Sequence, residues 1–113
     1  MLNDLRDKAF ETAEKHGFHE NWDFVKALML TVGELSEAME ADRKDNWCPL
    51  TAMLMTPEAV DYKNVKGTVE EEIADAIIRL LDIAGVYSID LDWHVKAKMT
   101  YNETREYKHG KKY

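Results

Sequence analysis

The segment VKALMLTVGELSEAMEA, residues 25–41, is apolar around nearly its whole circumference when wound as a helix. At 100° per residue Val25, Leu28, Met29, Val32, Leu35 and Met39 form one stripe, read as the face turned to the core. The opposite half should be polar, yet it carries Ala27, Leu30, Ala38 and Ala41, with Glu34 and Glu37 set among them. Such a helix is expected to be covered on two sides. A single domain of 113 residues buries only about two-thirds of its unfolded surface. At least a dimer is therefore expected, with Ala27, Ala38 and Ala41 near a helix–helix contact.

The rest of the chain is also helical in pattern, with no β-alternation and no internal repeat, so the expected class is all-α. LRDKAFETAEK suggests a helix from about Asn3 to Lys15, stopped by Gly17. The second helix is expected from about Trp22 to Lys44. Residues 45–67 hold both prolines and read as a loop, with one short helix after Thr56-Pro57. Thr68 followed by Glu71 fits a capping box opening the helix VEEEIADAIIRLLDIAGVY. Asp90 reads as the N-cap of LDWHVKAKMTYNETREY, ahead of a basic tail with His109, Lys111 and Lys112.

Net charge is −7, from 22 acidic and 15 basic residues, which argues against nucleic acid or an anionic membrane as the main partner. No run of 18 apolar residues occurs, so no membrane span is expected. The single cysteine, Cys48, cannot close an intrachain disulfide, and MLNDLRDKAF lacks an apolar leader core. A reducing, cytoplasmic setting is the expectation.

Glu34 and Glu37 stand three residues apart, where helical side chains are neighbours. Glu72 and Asp75 repeat that spacing on the next long helix. Either pair alone reads as a solvated face: on the wheel Glu71, Glu72, Asp75, Arg79 and Asp82 form a polar side, and Ile73, Ile77, Leu80, Leu81 and Ala84 a core side. If the two helices pack antiparallel, however, four carboxylates converge. Each close pair then costs on the order of 4 kcal/mol at an effective dielectric near 20, so convergence implies divalent cations. The Glu-x-x-His spacing that a di-iron bundle uses on each of two helices occurs once, at Glu106–His109 in the basic tail and apart from the paired acids, and no EF-hand loop is present. An all-oxygen set suits Mg²⁺, with Mn²⁺ as a substitute.

The last long helix supplies the opposite charge. His94, Lys98, Asn102 and Arg105 lie on one face, and the rise from Lys98 to Arg105 is about 10.5 Å, enough to track a polyphosphate. A solvated charged face explains the same pattern. Trp22, Trp47 and Trp93 read as core aromatics, or as platforms for a base.

ELSEAMEADR (34–43), EEIADAIIRLLDIAG (71–85) and KMTYNETREYKHGKKY (98–113) together resemble the MazG-like, all-α nucleoside triphosphate pyrophosphohydrolases, in that family's order and over nearly the whole chain. The resemblance implies a single domain, 1–113, built as a four-helix bundle and completed by oligomerisation to a dimer or tetramer. It implies Mg²⁺ on Glu34, Glu37, Glu72 and Asp75, and phosphate contacts from Lys98, Asn102 and Arg105. The implied reaction converts a nucleoside triphosphate, often a deoxynucleotide, to monophosphate and pyrophosphate, a nucleotide-pool house-cleaning task. Glu34 is the expected general base. Many relatives carry a further Glu where this chain has Gly33, and the 34 residues between Glu37 and Glu72 make a long connection. The competing expectation is a non-catalytic helical nucleotide-binding or interaction module on the same scaffold.

Overall fold

The computed structural model describes residues 1–113 and is all-helical. Its elements are α1 (Leu2–Lys15), α2 (Phe24–Arg43), the short α3 (Leu50–Met53), α4 (Val69–Val86) and α5 (Leu91–Glu103), with 3₁₀ turns at Tyr62–Asn64 and Tyr107–Gly110. No helix is long and apolar enough to cross a membrane.

Local chemistry accounts for the boundaries. Asp23 starts α2 by accepting from the Lys26 amide at 3.0 Å. Thr68 Oγ1 accepts from the Glu71 amide at 3.2 Å. The Glu71 carboxylate reaches back to the Gly67 amide at 2.7 Å, one residue further than in the usual capping box. Asp90 caps α5 through the Trp93 amide at 3.1 Å, and α1 ends at Lys15 with His16 as its cap, followed by Gly17, whose φ of +81° suits a residue without Cβ. One expectation needs correcting. The short helix of the 45–67 connection follows Pro49, not Pro57, where the chain makes only a turn; Pro49, with extended backbone, is the residue that precedes the helical turn.

Helix α4 is the central element, packed against α2 along one side and α1 along another. Both neighbours run antiparallel to it: Glu34 meets Arg79 and Asn46 meets Val69 along α2, while Arg6 meets Ile89 and His19 meets Asp82 along α1. Phe10 comes so close to α4 that a Cβ on Gly85 would lie 2.8 Å from the Phe10 Cβ. Between α1 and α2 a groove of about 1090 Å³ stays open, floored by α4 residues such as Ile78 and Leu81.

The outward and inward faces of α2 are reversed relative to expectation. The side carrying Ala27, Thr31, Glu34, Ala38 and Ala41 is turned inward, with Thr31 and Ala41 buried. The stripe Val25, Leu28, Met29, Val32, Leu35, Met39 is exposed, with Met29 at 61%. On α4 the expectation holds in part: Leu81 and Ala84 of the expected core side are buried, but so are Glu71 and Glu72, while Ile73, Ile77 and Leu80 are exposed. The physical reason is that small residues let α2 approach α4 closely, whereas the bulky stripes need a partner that one chain does not supply. Trp47 and Trp93 are likewise exposed, not core. The chain exposes 9006 Å², against roughly 6400 Å² for a folded monomer of its mass. Its radius of gyration is 16.6 Å, against roughly 13 Å.

Candidate functional site

The antiparallel pairing of α2 with α4 brings the two carboxylate pairs together at the level of the first turns of α4. Carboxylate oxygens of Glu34, Glu72 and Asp75 lie within 4.8 Å of one another. Glu37, one turn further along α2, faces the same cluster from its exposed edge, close enough to act on both Glu34 and Glu72.

Each acid has a different environment. Arg79 Nε donates to Glu34 Oε1 at 2.8 Å, and this guanidinium holds the Glu34 carboxyl below the usual carboxylate range, against the opposing pull of burial. Glu72 is buried, and its Oε2 is shielded from solvent with no hydrogen-bond donor. Burial first, then the Glu37 and Glu34 carboxylates, push the Glu72 carboxyl up to about 7. Burial and the charges of Glu71 and Glu34 also raise Asp75. The Glu71 carboxylate, together with burial, lifts the phenol of Tyr62 in the 45–67 connection to about 12.

The arrangement is three clustered oxygen donors, a fourth at the rim and one cation for four anions. Buried carboxylates repel unless protonated, paired or metal-bound, and hard all-oxygen sets of this kind suit Mg²⁺ or Mn²⁺. Glu34 and Asp75 also form part of the wall of the α1–α2 groove, so a ligand in the groove touches the acids directly.

The expected phosphate contacts are not assembled with the acids within one chain. Lys98 is exposed, and Asn102 and Arg105 are half-buried. Lys98 and Arg105 lie over the Tyr101 ring at 5.1 and 5.2 Å from its centroid, and α5 packs on the body through α1. Asn102 Oδ1 is shielded from solvent without a partner. His94 is exposed beside Trp93, and the basic tail is exposed throughout.

Two features escaped the sequence reading. Arg79 was legible as part of a polar face but not as the counter-ion of Glu34, although its i+4 spacing from Asp75 was the available signal. His19, in the turn between α1 and α2, is held by Glu14 and, at 2.8 Å, by Asp82, and stacks on Phe10. Burial lowers its pKa, and the bonds to the two carboxylates outweigh that, leaving it raised. No local pattern announces a contact between a turn and a helix 63 residues away. Trp22 joins the same cluster, donating to the Tyr87 hydroxyl at 2.8 Å.

No protein-family model matches the chain, and no curated protein or solved structure shows significant similarity to it.

Proposed function

We propose that this protein is a Mg²⁺-dependent nucleotide pyrophosphohydrolase of the MazG-like kind, cleaving a ribo- or deoxynucleoside triphosphate to monophosphate and pyrophosphate. The observation that carries the reading is Glu72 Oε2, a shielded carboxylate oxygen without a donor, grouped with Glu34 and Asp75. An uncompensated buried carboxylate costs several kcal/mol, and its neighbours are acids, so the group fits a bound divalent cation. Glu34, Glu37, Glu72 and Asp75 are the residues that would hold it. Bound there, Mg²⁺ supplies neutralisation of the polyphosphate and acidification of water.

The chain's own groups divide the remaining work. Glu34, kept ionised by Arg79, is suited to accept the proton of the water that attacks the α-phosphorus. Lys98, Asn102 and Arg105 donate to phosphate oxygens and stabilise the departing pyrophosphate. The adjoining groove, about 1090 Å³, has room for a nucleoside. The exposed stripes of α2 and α4 support assembly as a homodimer or homotetramer: the surface in excess of a monomer's is well above the roughly 800 Å² per partner of an ordinary interface.

A panel of nucleoside and deoxynucleoside triphosphates with Mg²⁺, scored for pyrophosphate release, tests the reading. Turnover of at least one member that stops on chelation is expected; silence across the panel would overturn it in favour of a binding module.

A further inference from the structure

Arg79 stands at the border between the acidic cluster and the groove. Its side chain, 38% exposed against 13% for Glu34, lines the groove beside Glu34 and Asp75, next to an apolar stretch made by Ala27, Leu30 and Ile78. Glu34 is the carboxylate it pairs with, Nε donating to Oε1 at 2.8 Å. A guanidinium carries more N–H donors, in a planar fork, than one carboxylate can engage. Arg79 therefore retains unused donors on a side chain that borders open groove.

The same ion pair sets two cations in competition for one anion. Glu34 is one of the acids whose oxygens lie within 4.8 Å of one another, and in the function proposed above, on which this step rests, they hold Mg²⁺. A divalent ion there repels the guanidinium and takes over the neutralisation of Glu34. Asp75, one turn before Arg79 on α4, also feels the guanidinium as a stabilising charge, so the competition extends to a second ligand of the ion. A half-buried cation deprived of its carboxylate needs another anion or water. The flexible arginine stem lets the fork turn to the groove without moving α4.

We infer that Arg79 is a placeholder cation, which yields Glu34 to the metal and then binds a phosphate group of a ligand lying in the groove. The ligand this selects has an apolar or aromatic portion against Ala27, Leu30 and Ile78 and its phosphate at the acidic border, on the side of the metal. Metal and ligand are thereby coupled through one side chain, each favouring the other. The exchange has a sign that a merely structural arginine does not reproduce: removing the guanidinium tightens metal binding and loosens phosphate binding.

Calorimetric titration of the full chain reads both halves without turnover. Mg²⁺ is titrated into metal-free wild type, Arg79→Met and Arg79→Lys, and inorganic pyrophosphate is then titrated into each at saturating Mg²⁺. Arg79→Met is expected to bind Mg²⁺ about fivefold tighter and pyrophosphate about tenfold more weakly. Arg79→Lys keeps the charge and loses the planar fork, so it should bind Mg²⁺ as wild type does and pyrophosphate more weakly. If Arg79→Met does not fold, the pyrophosphate affinity of Arg79→Lys decides. Unchanged or weaker Mg²⁺ binding in Arg79→Met, or wild-type pyrophosphate affinity in the variants, overturns the inference and leaves the metal site standing. A wild type that binds no Mg²⁺ removes the proposed site itself, and the inference with it.

Discussion

Arg79 and Glu34 form the one cross-helix ion pair at the acidic cluster, Nε to Oε1 at 2.8 Å, joining α4 to α2. The carboxylate side is largely buried and the guanidinium is 38% exposed. Removing the cation from a buried pair strands the anion, but solvent screening at Arg79 reduces the loss. Arg79→Met is expected to lower the stability of the chelated protein by about 1–2 kcal/mol. The deficit should shrink when Mg²⁺ is added, because a divalent cation replaces the missing charge. Thermal melts with EDTA and with Mg²⁺ measure both; an equal loss in the two conditions would place Arg79 outside the cluster's charge balance.

The raised Glu72 carboxyl makes the metal-free protein sensitive to pH. Between its ordinary value of 4.5 and its folded value of about 7, the folded state holds a proton that the unfolded state has lost. Stability therefore falls as pH rises through that window, by at most roughly 3 kcal/mol. Asp75, also raised, adds to the fall. Denaturant titrations of chelated protein from pH 4.5 to 7.5 should show the decline, and Glu72→Gln should flatten it.

His19 gives a second fall with a different origin. Its raised pKa means the stabilisation from Glu14 and Asp82 is fully present below 6.5 and is lost as pH climbs through the folded value. Mg²⁺ should suppress the Glu72 component and leave this one. His19→Phe should remove it; an unchanged alkaline limb in that variant would show that the imidazole is not the titrating group.

Kinetics separate the acids from the α5 stripe. Glu37→Gln and Asp75→Asn should each nearly abolish turnover with helicity intact and, without Mg²⁺, an unchanged or higher Tm, since both relieve repulsion. Glu72→Gln should shift the Mg²⁺ requirement upward. Lys98→Met should lower kcat/KM about ten- to hundredfold, as loss of a charge-assisted contact to an anion does, with the Mg²⁺ midpoint little changed. Steady-state rates across a Mg²⁺ titration distinguish the two patterns, and a fully active Lys98→Met would remove that residue from phosphate binding.

Assembly is the remaining prediction. Light scattering at micromolar concentration should show a dimer or larger. Met29→Lys together with Leu35→Lys, both on the exposed stripe of α2, should shift the population toward monomer and lower Tm. A wild-type protein that stays monomeric would contradict it.

The four long helices and their caps were legible because they depend on contacts three or four residues apart: Thr68 with Glu71, and Asp90 with Trp93, are written in the local sequence. The convergence of Glu34, Glu72 and Asp75 was legible by one further step, the antiparallel pairing of α2 and α4. Which face of α2 turns inward was not. Periodicity shows that Met29 and Met39 share a side, but not whether that side meets the same chain or another. The direction of α5 was illegible for a similar reason, since it depends on Asn3 and Asp92, 89 residues apart.

Gly85 has a mechanical consequence. Its missing side chain lets Phe10 sit against the α4 backbone, so this one contact acts as a gauge block for the gap between two rigid rods. A methyl group inserted there would act as a shim. Because α1 is a continuous helix, the displacement would not stay local: it would tilt the rod, spread the mouth of the groove and strain the His19–Asp82 bond beyond its far end. The width available to a ligand thus depends on an absent carbon atom between α1 and α4 as well as on the side chains that line the groove.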